Sequence, residues 1–176
     1  MQQGLTARKG TGAELAQPYF LALQAEVYGK LRQREQALPL LSKALATRSA
    51  GGQQRQEAEL YRLKGELTLQ GGTRDWGLET SSPFSQAPSL KPQVSRAVAQ
   101  EAEECFLKAI AIAQKQQAKS LELRATTSLA RLWQSQGKTA EARQILAEIY
   151  GWFTEGFDTK DLLEAKSLLD ELAEDR

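Results

Sequence analysis

The chain has no histidine and a single cysteine, Cys105, in 176 residues. Without imidazole, every scheme that uses it as general base, general acid or metal ligand is excluded. One thiol forms no internal disulfide and no multi-thiolate metal site. No metal or cofactor is therefore expected, and the chain reads as a non-enzyme. Long hydrophobic runs are missing as well: none approaches the roughly 18 residues that would mark a membrane span, and the opening MQQGLTARKG has no hydrophobic signal core. The expected location is the cytoplasm. Nor is there an excess of either charge. With 23 basic and 22 acidic residues the net charge is +1, which removes bulk attraction to nucleic acid or to an anionic membrane as a default function.

What is present is periodicity. Hydrophobic residues make up 41% of the chain, enough for the core of one domain. The clearest stretch is Leu121 to Tyr150, LELRATTSLARLWQSQGKTAEARQILAEIY. Leu121, Ala125, Leu129, Leu132 and Trp133 form one helical stripe; Ala142, Ile145, Leu146, Ile149 and Tyr150 form another. Both follow a repeat of 3.6 residues. Gly137 falls where a left-handed C-cap is wanted, and Thr139 where an N-cap or first-turn residue would start the second helix. Two antiparallel helices result, and one hairpin alone cannot bury both stripes.

The same pattern occurs earlier. A helix expected from Glu14 to about Leu31 carries Leu21, Ala25 and Tyr28; its partner carries Ala37, Leu40, Leu41, Ala44 and Leu45. Pro39 is awkward there, because its missing N–H costs little only in a first turn, so this helix should start near Glu35 or bend. A second pair follows. QEAELYRLKGELTLQ has Leu60, Leu63 and Leu67 on one face, and VAQEAEECFLKAIAIAQKQ has Ala102, Cys105, Phe106, Ala109, Ile110 and Ala113. Between them, residues 71–95 hold Gly71, Gly72, Gly77, Pro83, Pro88 and Pro92 and read as a non-helical insertion, with Trp76 and Phe84 tacking it to the surface.

Two sets of markers test the repeat. Ala37, Ala102 and Ala142, heading the second helices, are 65 and then 40 residues apart. Ala25, Gly65 and Ala130, the small residues of the first helices, are 40 and then 65 apart. Both series fit a period of 40 with 25 extra residues between the helices of the second hairpin. The fold expected is all-α: an α-solenoid of about three hairpins, 14–50, 53–118 (with the 71–95 insertion) and 119–151, plus a capping helix 159–174 started by Asp158 or Thr159. Residues 1–13 would be a tail or the remnant of a preceding repeat.

The spacing resembles the tetratricopeptide repeat. The residues that carry the likeness are Leu21, Ala25, Tyr28, Ala37, Leu41 and Ala44; then Tyr61, Gly65, Thr68, Ala102, Phe106 and Ala109; then Thr126, Ala130, Trp133, Ala142, Leu146 and Ile149. Thr68, Thr126 and Ile149 depart from the family pattern, and the period of 40 exceeds the usual length of about 34, as in a longer-helix variety. The segments AELYRLKGEL, KAIAIAQKQQAKSLELRATTSLARLW and YGWFTEGFDTKDLLEAKSLLDEL look like the C-terminal repeat region of large bacterial signalling proteins that combine a nucleotide cyclase or kinase module with an ATPase. That resemblance implies a protein-binding or intramolecular scaffold module and a chain shortened from, or cut out of, a longer one. Neither the cyclase nor the ATPase motifs occur here, so neither activity is implied.

In hairpins of that family the first helices line a concave groove. Helical phase then places Tyr19, Ala22, Glu26 and Lys30; Glu59, Arg62 and Glu66; and Arg124, Thr127, Arg131 and Gln134 along it. Mixed charge suits a protein or peptide segment, from a partner or from a neighbouring domain, better than a polyanion, and arginine and tyrosine are frequent interface anchors. Trp152, Phe153 and Phe157 form a second candidate, a docking patch or the packing of the last helix. Gly71-Gly72-Thr73 lacks the lysine and preceding strand of a phosphate loop. Glu101, Glu103 and Glu104 read as a solvated first turn, and Cys105 as a small buried apolar residue. Two rival readings are a small-molecule sensor, which needs a deep enclosed apolar pocket, and a homo-oligomer stacked through its end repeats.

Overall fold

A computed structural model describes residues 17–46, 56–72 and 95–174, apart from the side chains of residues 17–19. The expectations for the 1–13 tail, the Glu14 start, the turn at 50–53, Tyr19, Trp76, Phe84 and the body of the insertion lie outside the described residues. Seven helices account for most of the rest: α1 (Gln17–Lys30), α2 (Arg34–Ala46), α3 (Glu57–Gly72), α4 (Arg96–Lys115), α5 (Lys119–Ser135), α6 (Thr139–Tyr150) and α7 (Lys160–Glu174). Among the described residues there is no strand.

Each helix packs against the next in the chain, and α1 also touches α3, α3 touches α5, and α5 touches α7. The odd-numbered helices therefore stand side by side in one row. Their close approach depends on small residues. A Cβ built on Gly29 of α1 would already be 3.0 Å from Leu67 Cδ2 of α3; Ala25, Gly65 and Ala130 are buried too, Gly65 against the Phe106 ring of α4. On the even helices, Ala37, Ala102 and Ala142 all have 0% exposure, so the three markers share one kind of environment.

The core is a chain of three clusters. Leu21, Ala25, Ala37, Leu41, Leu63 and Leu67 join α1, α2 and α3. Ala102, Phe106, Leu129 and Leu132 join α4 to α5, with Leu69 of α3 and Ile145 of α6 at the edges. Leu123, Ala130, Leu146, Leu162, Leu168 and Leu172 join α5, α6 and α7. Helix α5 serves two clusters, because Leu129 and Leu132 lie on a different side from Leu123 and Ala130. Phe106 is fully buried, and cutting it to alanine would cost about 3–5 kcal/mol.

Three turns repeat one backbone device. Arg32, Gln117 and Gly137 have φ of 56°, 53° and 79°. Each donates its N–H to the carbonyl three residues back (Gly29, Gln114 and Gln134), and the following residue donates to the carbonyl five back (Tyr28, Ala113 and Trp133), at 2.8–3.0 Å. This left-handed cap closes α1, α4 and α5 and satisfies carbonyls that a helix end leaves bare. Gly137 thus takes the conformation its position suggested. Thr139 is the first residue of α6, whose N-cap is Lys138 with no side-chain cap bond.

Helix α2 begins one residue from the expected start near Glu35, and one other local expectation needs correction. Pro39 lies in the second turn of α2, which starts at Arg34; it is exposed, so the carbonyl its N–H would have bonded stays open to water. Helix α3 continues through Gly71 and Gly72. The Arg34 side chain fills the space beside Gly71: a Cβ there would fall 1.6 Å from the Arg34 Nη1, and the arginine would have to move. The guanidinium sits against the C-terminal turn of α3, where a cation suits the helix dipole. Composition alone argued against helix there, and that contact opposes it.

Candidate functional site

The row of odd helices presents a continuous line of charge. On α3, Arg62 donates from Nε and Nη2 to both oxygens of Glu59 at 3.0 and 2.7 Å, and from Nη1 to Glu66. Successive turns of one helix face place all three within reach. Helix α5 adds Arg124, 3.1 Å from the same Glu59 oxygen, and Ser128, whose hydroxyl donates to Glu66 at 3.0 Å. Helix α7 closes the line: Asp161 is 3.8 Å from Arg124, and Glu164 is 2.6 Å from Arg131. At the other end, on α1, Lys30 lies 2.9 Å from Glu26.

The electrostatics follow from this geometry. Burial pulls the Arg62 pKa down, but the hydrogen bonds to Glu59 and the fields of Glu66, Glu59 and Glu26 outweigh it and raise it further. Glu26 is held below the ordinary glutamate range, first by its bond to Lys30, against the opposing effect of burial, and then by the fields of Lys30, Arg62 and Arg124. The Cys105 thiol, off this face, is pushed up by burial.

Of the residues assigned to the groove by helical phase, Glu26, Lys30, Glu59, Glu66, Arg124 and Arg131 do share one face. Arg62 and Thr127 belong to it but are buried, at 8% and 6% exposure. Arg62 is fully engaged, and the Thr127 hydroxyl donates to the Leu123 carbonyl at 2.8 Å. Ala22 is buried in the first core cluster. Gln134 is half-buried. Phase along one helix missed Ser128, Asp161 and Glu164. The last two came from reading α7 only as a cap, although their spacing of three residues on its first turns was visible.

Two connected cavities run along the face. One, of about 200 Å³, is walled by Glu26, Lys30, Arg62, Arg124, Asp161 and Glu164 among others. The second, of about 500 Å³, has Lys30, Arg32, Arg34 and Arg131 around a floor of Leu69, Phe106 and Leu132, with Glu66 the one carboxylate. Glycine 29, Lys30, Glu66, Gln70, Ser128 and Arg131 border both. Neither Arg32 nor Arg34 had been singled out, although the run Lys30-Leu31-Arg32-Gln33-Arg34 stands out in the sequence.

The aromatic patch divides. Phe153 packs on the cluster of α5, α6 and α7, with the Trp152 ring edge-on to it at 5.2 Å. Phe157 lies 5.8 Å from Tyr150. Trp152 and Phe157 remain exposed. Among the described residues, no helix is long and apolar enough to cross a membrane, and no group of three or more acidic or cysteine side chains is placed to hold a metal ion.

No family model matches this chain, and no curated protein or solved structure matches it either.

Proposed function

We propose that the chain is a non-catalytic α-solenoid of the tetratricopeptide type that binds a protein or peptide segment along the face of α1, α3, α5 and α7. The observation that carries the reading is the side-by-side row of odd helices with a mixed-charge groove running across it. Stacked hairpins generate such extended surfaces. Each carboxylate of the face is held by a cation (Glu26 by Lys30, Glu59 and Glu66 by Arg62, Asp161 by Arg124, Glu164 by Arg131). That arrangement suits recognition better than acid–base chemistry, which needs a group free to exchange a proton. The cavities are open rather than enclosed, which favours a peptide over a small molecule held in an apolar chamber. By the resemblance stated above, the setting is a cytoplasmic signalling protein of bacteria, the bound segment being a partner or a neighbouring domain.

The test is selection from a displayed random-peptide library, followed by titration of the enriched peptides. Enriched sequences should compete with one another. Their affinity should fall at least tenfold in Lys30→Glu/Arg131→Glu, whose positions are exposed, with helix content and Tm unchanged. No enrichment, or binding indifferent to both substitutions, would sink the assignment.

A second reading is favoured by one feature. Leu23 and Val27 on α1 and Leu31 just after it are exposed at 39%, 55% and 61% and repeat every four residues. Such a stripe is what a neighbouring helix or a second copy would cover. Sedimentation of the wild type against Val27→Glu/Leu31→Glu decides: a monomer at all concentrations in both removes self-association.

A further inference from the structure

The larger cavity combines three things: an excess of positive charge, an apolar floor, and a guanidinium with no anion. Lys30 is paired with Glu26 and Arg131 with Glu164. Arg32 and Arg34 make no ion pair among the described residues. Glu66, the one carboxylate on the wall, is already taken by Arg62 and Ser128. Arg34 is half-buried, and its Nε is wholly shielded with no hydrogen-bond partner. A cation withdrawn from water without an anion is a standing cost, and it strengthens the pull on any carboxylate that arrives. Gly71 leaves space for this side chain, which lies against the end of α3. The same cavity is lined by Leu69, Phe106 and Leu132.

Resting on the peptide-binding reading above, we infer that this cavity recognises a peptide carboxylate followed by an apolar side chain. The carboxylate of an aspartate or glutamate sits among Arg32, Arg34 and Arg131, a pairing that planar guanidinium groups suit. The neighbouring apolar side chain covers the Leu69–Phe106–Leu132 floor. A mixed-charge chain suits the site better than a polyanion, because the adjoining cavity alternates Glu26, Asp161 and Glu164 with Lys30, Arg124 and Lys160.

The probes are acetyl-Glu-Leu-amide, acetyl-Gln-Leu-amide, acetyl-Glu-Gly-amide and inorganic phosphate, each titrated into ¹⁵N-labelled protein. The arginine Nε–H resonances are observed, and that of Arg34 is identified by its loss in Arg34→Lys. Acetyl-Glu-Leu-amide should shift the Arg34 signal and weaken with added salt. The Gln and Gly analogues should bind at least tenfold more weakly. Arg32→Gln, at an exposed turn position, should weaken the Glu-Leu probe severalfold without changing Tm, which guards against Arg34 variants that merely loosen α3. An unmoved Arg34 signal, or equal response to the Glu and Gln probes, overturns the inference. So does a phosphate response matching Glu-Leu with no gain from leucine over glycine, which would mean a bare anion site. If these probes fail while library-selected peptides still bind through Lys30 and Arg131, only the carboxylate pocket is lost; if both fail, the peptide-binding reading goes too.

Discussion

Gly65 of α3 lies so close to the Phe106 ring of α4 that a Cβ on it would stand 2.6 Å from Phe106 Cε1. The ring is fully buried and cannot swing aside, so the absent side chain sets how near the two helices come. Gly65→Ala gains about 1 kcal/mol of helix propensity but overpacks the core, at a cost of about 1–3 kcal/mol. The expected result is lower stability in urea unfolding. Phe106→Leu in that background should recover part of the loss, giving a favourable coupling between the sites. Additive losses would mean that the two residues do not meet.

The three left-handed caps make opposite predictions at two positions. Gln117 holds φ of 53° with a side chain, whereas Gly137 holds 79° without one. Gln117→Gly should raise stability by about 0.5–1 kcal/mol, and Gly137→Ala should lower it by about 1 kcal/mol, since an L side chain is disfavoured at positive φ. Thermal unfolding of the two variants measures both signs.

Arg62 should behave as a cross-link rather than as a ligand contact. Its removal in Arg62→Met leaves Glu59 and Glu66 facing each other with less positive charge between them, at a cost of about 3 kcal/mol. Adding Glu59→Gln and Glu66→Gln should restore much of that loss. A double-mutant cycle read by urea midpoints checks it; an Arg62→Met variant as stable as wild type would show that the pairs contribute nothing.

Cys105 gives the pH prediction. Burial raises its folded pKa above the unfolded value of about 8.5, so the folded state favours the neutral thiol. The stability this contributes is complete below about pH 8.5 and is lost as pH rises through the folded value. Thiol labelling at pH 8 should be slow in the native protein and become fast in urea. The fall in urea midpoint above pH 8.5 should be shallower in Cys105→Ala. Rapid native labelling would place the thiol in solvent.

Much of the helical framework was legible. Ala37, Ala102 and Ala142 were picked out by spacing alone, and all three are fully buried. The turn at Gly137 was legible because few residues tolerate positive φ. Its equivalents at Arg32 and Gln117 were not, because nothing in those side chains announces the conformation. The charged face was legible in part. Helical phase brought Glu59, Arg124 and Arg131 to one side, but Asp161 and Glu164 join them only through the packing of α7 on α5.

By itself, the order of residues determined most of the helices, their apolar stripes and the spacing of the small residues at their contacts. Those properties arise within three or four positions of the backbone, where hydrogen bonding sets the phase of each side chain. Only the tertiary structure decided which charges remain available. Whether a guanidinium is consumed, as at Arg62, or has no anion among the described residues, as at Arg34, depends on which carboxylates lie near it in space, and pairing follows distance rather than position in the chain.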